Sequence, residues 1–133
     1  MPNNGEKRVR DNTDGVGQVY IIGAGPGDSE LLTVKAQRIL ALADVVLYDY
    51  LAHPNVVMLA QSAIKLCVGK KKGAHSMSQE DIHALLLKYS KTHARIVRLK
   101  GGDPMIFGRS GEEMAFLRQH NIPFRIVPGI TSA

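Results

Sequence analysis

The sequence has no tryptophan, and aromatic residues make up only 5% of its 133 positions. Surfaces that stack nucleic-acid bases interleave aromatic and basic side chains. That combination is missing, so no nucleic-acid partner is expected. There is one cysteine. A single thiol excludes a disulfide framework and any all-cysteine zinc or iron–sulfur centre within one chain, and it fits a reducing compartment such as the cytoplasm. Cys67 itself lies in an apolar run, where a thiol is by default inert. No apolar run approaches the 18 or so residues that span a bilayer, so no membrane partner is expected. The first eight residues, MPNNGEKR, lack the apolar core of a secretory signal. The histidines show neither H-x-x-x-H nor H-E-x-x-H spacing, so no metal site is expected.

What is present is a globular composition, 44% hydrophobic and 22% charged, which excludes global disorder. A chain of this length can bury a core without a disulfide or metal staple. Residues 1–16 are rich in Asn, Asp, Gly and charge, and read as a disordered leader to an ordered domain over 17–133. The net charge of +5 is uneven, because residues 65–133 carry twelve basic groups against five acidic ones. That half suits either a solvated surface or an acidic ligand.

Five short apolar runs punctuate the domain: Gln18–Ile22, Val45–Tyr48, Ile64–Val68, Arg95–Leu99 and Phe124–Val127. Most are continuous in Val and Ile rather than alternating, as in strands buried on both faces. Helical patterns lie between them. Val34–Ala43 places Val34, Ile39, Leu40 and Ala43 near one face, with Thr33 as N-cap. A short helix is expected near Asn55–Ala60. Gln79–Lys91 begins at a capping box, Ser78 to Asp81, and presents Ile82, Leu85, Leu86 and Tyr89. Glu112–His120 opens with two glutamates suited to a helix N-terminus and stops at Asn121 and Pro123. Strand–helix alternation of this kind predicts an α/β fold, a largely parallel five-stranded sheet flanked by helices.

Chemistry gathers at the strand ends. The first strand runs into Gly23-Ala24-Gly25-Pro26-Gly27-Asp28. A dinucleotide fingerprint would put a third glycine at Asp28, whose charge opposes a pyrophosphate, and no Gly-Lys-Ser/Thr of a P-loop follows. The residues fit two readings: close backbone approach to an uncharged or cationic ligand, or a tight turn without one. The fourth strand runs into Lys100-Gly101-Gly102-Asp103-Pro104. Asp103 suits a ligand's hydroxyl or amino group, or a cap of the turn. Asp49 closes the second strand and Lys70 follows the third. Together they fit a proton-transfer pair or an ordinary salt bridge. His53 and His75 are further proton-transfer candidates.

The segments VYIIGAGPGDSELLTVKA, ADVVLYD, VGKKKGAHSMSQEDI, VRLKGGDPMIFGRSGEE and IPFRIVPGITSA, in that order, resemble the uroporphyrinogen-III C-methyltransferases of the tetrapyrrole methylase family. The resemblance runs from residue 18 to residue 133. It implies an S-adenosylmethionine-dependent enzyme that methylates two pyrrole carbons of uroporphyrinogen III to give precorrin-2, a precursor of sirohaem and cobalamin. It implies donor contacts at Pro26, Gly101, Gly102, Asp103, Ile106, Thr131 and Ser132, with Asp49 as proton acceptor and Lys70 as proton donor. It also implies a homodimer. A sulfonium donor agrees with Asp28, and a substrate with eight carboxylates agrees with the basic second half.

Four positions depart from the family pattern. Tyr50 and Lys71 stand where arginine is usual, which replaces a two-pronged carboxylate grip by a point charge or a phenol. Ser132 stands for alanine and Met105 for phenylalanine. Family members continue into a second α/β domain that completes the donor cleft, and that domain is absent from this sequence. The expectation is therefore an N-terminal domain, truncated, with little or no activity alone. Two alternatives remain at this point: a methylase of a later precorrin, and a non-catalytic ligand-binding remnant.

Overall fold

The computed structural model describes residues 17–25, 32–49, 52–69, 77–101 and 111–128. The expected leader, residues 1–16, lies outside them. Five strands are formed: β1 (Gln18–Gly25), β2 (Val45–Asp49), β3 (Ile64–Gly69), β4 (Arg95–Gly101) and β5 (Phe124–Pro128). They make one sheet in the order β3-β2-β4-β1-β5. Every pairing is parallel. Each strand extends one to three residues beyond its apolar run. The ladder uses backbone groups alone, so glycines such as Gly25 and Gly101 pair without a side chain to bury.

Four helices connect the strands: α1 (Val34–Leu42), α2 (Pro54–Val57), α3 (Gln79–Ser90) and α4 (Gly111–Gln119). Thr33 and Ser78 are N-caps, as their sequences predict, each accepting a backbone N–H bond of 3.1 Å three residues on. The short helix starts one residue earlier than expected, because Pro54 fits the first helical position and the His53 ring caps it, Nδ1 accepting from the Asn55 N–H at 3.1 Å. None of the described helices is long and apolar enough to cross a membrane.

The core has two layers. Ala36 and Leu40 of α1 and Val56 and Val57 of α2 pack on Ile22, Val46, Val97 and Leu99. Ile82 and Leu86 of α3 and Leu117 of α4 pack on Val19, Ile21, Val45, Leu47 and Ile96. Odd and even strand residues thus serve opposite faces. The connections through α1 and α2 step toward the β3 edge and those through α3 and α4 toward the β5 edge. Right-handed crossovers then place the two helix pairs on opposite faces. Two expectations fail. Val34 is 67% exposed rather than core, because it opens α1 on the side away from the sheet. β3 is not buried on both faces: only Val68 is buried, since it is an edge strand. Cys67 there is half-buried, its Sγ 3.5 Å from the Gly69 carbonyl oxygen.

Candidate functional site

β1 and β4 are neighbours, with Gly25 paired to Gly101 at their C-terminal ends. The chain leaving β1 leads to α1 on one face, and the chain leaving β4 leads to α4 on the other. Connections that diverge in this way open a crevice at the sheet's carboxyl edge, the usual ligand position in an open α/β sheet. The two glycine turns singled out in the sequence therefore begin side by side at the switch point. Neither paired residue carries a Cβ, so a ligand has access to backbone there.

Asp49 ends β2 on the other flank of β4. Its carboxylate oxygen Oδ1 accepts a 3.2 Å hydrogen bond from the backbone N–H of Gly101. A register shift between Tyr48 and Asp49 pairs Asp49 with Gly69 on β3. So Asp49, the first glycine of the second turn and the last residue of β3 before Lys70 converge on one edge. Pro26, Lys70, Gly102, Asp103, Ile106, Thr131 and Ser132 lie outside the described residues, as do Tyr50, Lys71, Met105, Asp28 and His75. His53, a proton-transfer candidate in the sequence, serves α2 as its cap.

Beneath this edge sits a cluster that the sequence reading missed. Arg98, Lys100 and Glu113 are buried, at 4%, 5% and 1% exposure, so their charges need partners. Arg98 Nε donates to Glu113 Oε2 at 2.9 Å, and its Nη1 reaches the Leu47 carbonyl at 3.4 Å. Lys100 Nζ stands 3.4 Å from Glu113 Oε1. That oxygen has no hydrogen bond of good geometry, so the contact is chiefly electrostatic. Burial, foremost, and the neighbouring Arg98 guanidinium hold the Lys100 ammonium below the usual lysine range, against the opposing pull of Glu113 and Asp49. Glu113 is thus not the exposed dipole partner its place in the first turn of α4 suggests. A usable signal was present: Arg98 and Lys100 alternate within an apolar strand, two cations on one sheet face that require a buried anion. The basic second half of the chain is also less of a free surface than its charge count implies.

A separate cavity of about 310 Å³ opens on the face covered by α1 and α2, lined by Tyr48, Ala52, Pro54, Val57, Met58 and Lys65. It lies toward the β3 edge, away from the β1–β4 crevice. The crevice has the chemistry and the topology, and is the better site. No group of three or more His, Cys, Asp or Glu side chains suited to a metal occurs among the described residues.

Residues 18–133 match the profile of the Tetrapyrrole (Corrin/Porphyrin) Methylases. A siroheme synthase of Psychrobacter cryohalolentis is 55% identical over 119 residues, 89% of this chain and 23% of that protein. The chloroplastic S-adenosyl-L-methionine-dependent uroporphyrinogen III methyltransferase of Arabidopsis thaliana is 52% identical over 132 residues, 96% of this chain and 36% of that protein. The solved uroporphyrin-III C-methyltransferase of Thermus thermophilus, complexed with S-adenosylhomocysteine, superposes with a TM-score of 0.71 at 54% identity. That match covers 86% of this chain and 49% of the Thermus chain. The chain therefore spans half or less of the length of the proteins it matches.

Proposed function

The chain belongs to the tetrapyrrole (corrin/porphyrin) methylases, and from that premise we propose that it forms the N-terminal half-site of an S-adenosylmethionine-dependent uroporphyrinogen III C-methyltransferase making precorrin-2. The observation that carries this reading is the Asp49 carboxylate bound to the Gly101 N–H beside the β1–β4 crevice. It supports the reading in which Asp49 is the proton acceptor, because that carboxylate meets the first residue of the turn expected to hold the methyl donor. The names of the relatives support the substrate, and the siroheme synthases among them favour the sirohaem branch.

The bound donor supplies an electrophilic methyl group on a sulfonium. The residues of this chain do the rest. Gly101 and its turn, with Pro26, Gly102, Asp103, Ile106, Thr131 and Ser132, hold the donor at the crevice. The paired glycines at the strand ends fit a ligand that approaches backbone closely. Methylation of a pyrrole carbon leaves positive charge on the macrocycle, and net loss of one proton per methyl group discharges it. Asp49 accepts that proton, and Lys70, one residue past the β3 partner of Asp49, is the proton donor for ring tautomerisation, giving a proton at one position as another leaves elsewhere, so that the net loss stays at one. The Gly101 hydrogen bond fixes the carboxylate so that little reorganisation accompanies the transfer. Relatives at least twice the length of the matched segment support a further domain that completes the cleft. Residues 17–133 act as the first domain behind a leader at 1–16. A cytoplasmic homodimer completes the reading.

Full-length protein incubated with uroporphyrinogen III and S-adenosylmethionine should yield a product carrying two added methyl groups. The Asp49→Asn variant keeps an oxygen for the Gly101 N–H but loses the base. It should lose roughly 10²–10⁴-fold in kcat with S-adenosylhomocysteine binding nearly unchanged. Methylation of a later precorrin but not of uroporphyrinogen III would replace this reading by the neighbouring activity.

A further inference from the structure

β4 ends at Gly101 and α4 begins at Gly111, so both ends of the second glycine turn are described. Gly101 is fixed in the sheet by its pairing with Gly25. The start of α4 has no ladder to hold it, and its attachment has to come from side chains. Glu113 and Leu117 are the buried residues of α4, one helical turn apart on the face toward the sheet. Leu117 packs in the apolar layer with Val19, Ile21 and Ile96, and Ile122 beyond the helix joins the same layer, which secures the far end. In the first turn Gly111 and Glu112 are exposed and Met114 is half-buried. Glu113 is what ties that turn down, and it does so with ions: Oε2 to Arg98 at 2.9 Å and Oε1 to Lys100 at 3.4 Å. Lys100 immediately precedes Gly101, and Glu113 follows closely on Gly111. One carboxylate therefore joins the two ends of the turn.

Resting on the functional reading above, we infer that Glu113 is a positioning residue for the donor-binding turn, fixing the first turn of α4 against the end of β4. Two cations and one anion almost out of water are a poor source of stability, since apolar side chains of similar volume often do as well or better. What the ions add is direction. The Arg98 Nε–H bond to Oε2 sets both distance and angle between strand and helix, and it is the stronger part of the tie. The Lys100 contact, without good hydrogen-bond geometry, adds attraction but little direction. A turn whose ends already stand at the right span has less freedom to lose when a ligand binds, so the tie contributes to donor affinity. It contributes little to the chemical step once the donor is in place. Glu113 touches neither donor nor substrate in this role.

The test separates affinity from turnover. In full-length protein, Glu113→Gln should raise Kd for S-adenosylhomocysteine, measured by calorimetry, and KM for S-adenosylmethionine by about fivefold or more. Its kcat at saturating donor and its KM for uroporphyrinogen III should stay within about twofold of wild type. Leu117→Val, at the far end of the same helix, should lower the denaturation midpoint and leave both donor constants unchanged. A role of Glu113 confined to stability predicts that pattern for Glu113→Gln as well, a lower midpoint with Kd unmoved. If Glu113→Gln does not fold, the triple variant Arg98→Met, Lys100→Met, Glu113→Leu removes the tie without stranding a buried charge. It should fold and show the same donor defect.

Amide hydrogen exchange reads the tie with neither donor nor substrate present. The N–H groups of Ala115 and Phe116 depend on the first turn of α4, whereas those of Asn121 and Ile122 close the far end on Arg118 and Leu117. In Glu113→Gln the first pair should exchange about tenfold faster or more, with the second pair within about twofold of wild type. Equal acceleration at both ends, or none at either, would overturn the role of Glu113. So would folded Glu113→Gln or triple variant that binds S-adenosylhomocysteine as tightly as wild type does, and the functional reading would then stand without it. Wild-type protein that binds no S-adenosylhomocysteine would instead overturn the functional reading, and the role of Glu113 with it.

Discussion

Lys100 keeps an ammonium group almost wholly out of water, and this has a consequence for stability that is separate from catalysis. Its folded-state affinity for a proton lies below the usual 10.5, with burial the main cause. The unfolded lysine regains the ordinary value. Between the lowered folded value and 10.5, unfolding takes up a proton, so stability contributed at this residue rises as pH climbs through that window. Below the window the buried charge opposes folding in full. The Lys100→Met variant lacks this dependence, so its stability relative to wild type should be greatest below the window and should decline through it. Denaturant midpoints at several alkaline pH values would show it, and a constant difference between the two proteins would contradict it. At this scale the sequence disclosed Asp49 and Gly101, because each ends an apolar run at a turn. It did not disclose Glu113, because a glutamate in a first helical turn has an ordinary explanation in the helix dipole, and only the packing of α4 against β4 removes it.

Elements were more legible than residues, and caps show why. Ser78 and Thr33 announce their helices through local chemistry, a short polar side chain three residues before the N–H it satisfies. The end of α4 is equally local. Asn121 has φ 58°, in the left-handed region. Its N–H bonds the Arg118 carbonyl at 3.1 Å, and the Ile122 N–H bonds the Leu117 carbonyl at 2.9 Å. This is a Schellman closure, and the buried pair Leu117 and Ile122 supplies its apolar contact. Asn121→Ala should cost about 1 kcal/mol, since a Cβ without the compensating amide is strained there. Asn121→Gly should be neutral or slightly stabilising. Urea unfolding should show the first as a lowered midpoint at unchanged slope. Helix faces were less legible at their ends. Val34 fits the apolar stripe of α1 by spacing, yet at the first helical position the sheet does not reach it.

The whole molecule was legible as a class and not as an arrangement. Strand–helix alternation gives a parallel sheet, but β1, β2 and β4 are similar apolar runs, and nothing local says that β4 inserts between the other two. That insertion is what sets Gly25 beside Gly101 and Asp49 across from both. One carboxylate at the opposite edge secures it. Asp44, just before β2, accepts from the N–H groups of Ala94 and Arg95 at 3.1 and 3.0 Å, fifty residues away. Its own N–H bonds the Arg95 carbonyl and its carbonyl takes the Ile64 N–H, so β2, β3 and β4 are pinned together at their starts. Asp44→Ala would leave two partly buried donors without that acceptor, at a cost of about 1–3 kcal/mol. Asp44→Asn restores an oxygen but not its charge, and should fall between the two. Because this clasp lies at the amino edge and the crevice at the carboxyl edge, Asp44→Ala in the full-length enzyme should lower the denaturation midpoint and leave kcat unchanged wherever the protein is folded. Asp49→Asn should do the reverse. If Asp44→Ala cut kcat in folded protein as Asp49→Asn does, the two ends of the sheet would not be independent, and the division between clasp and site drawn from this strand order would fail.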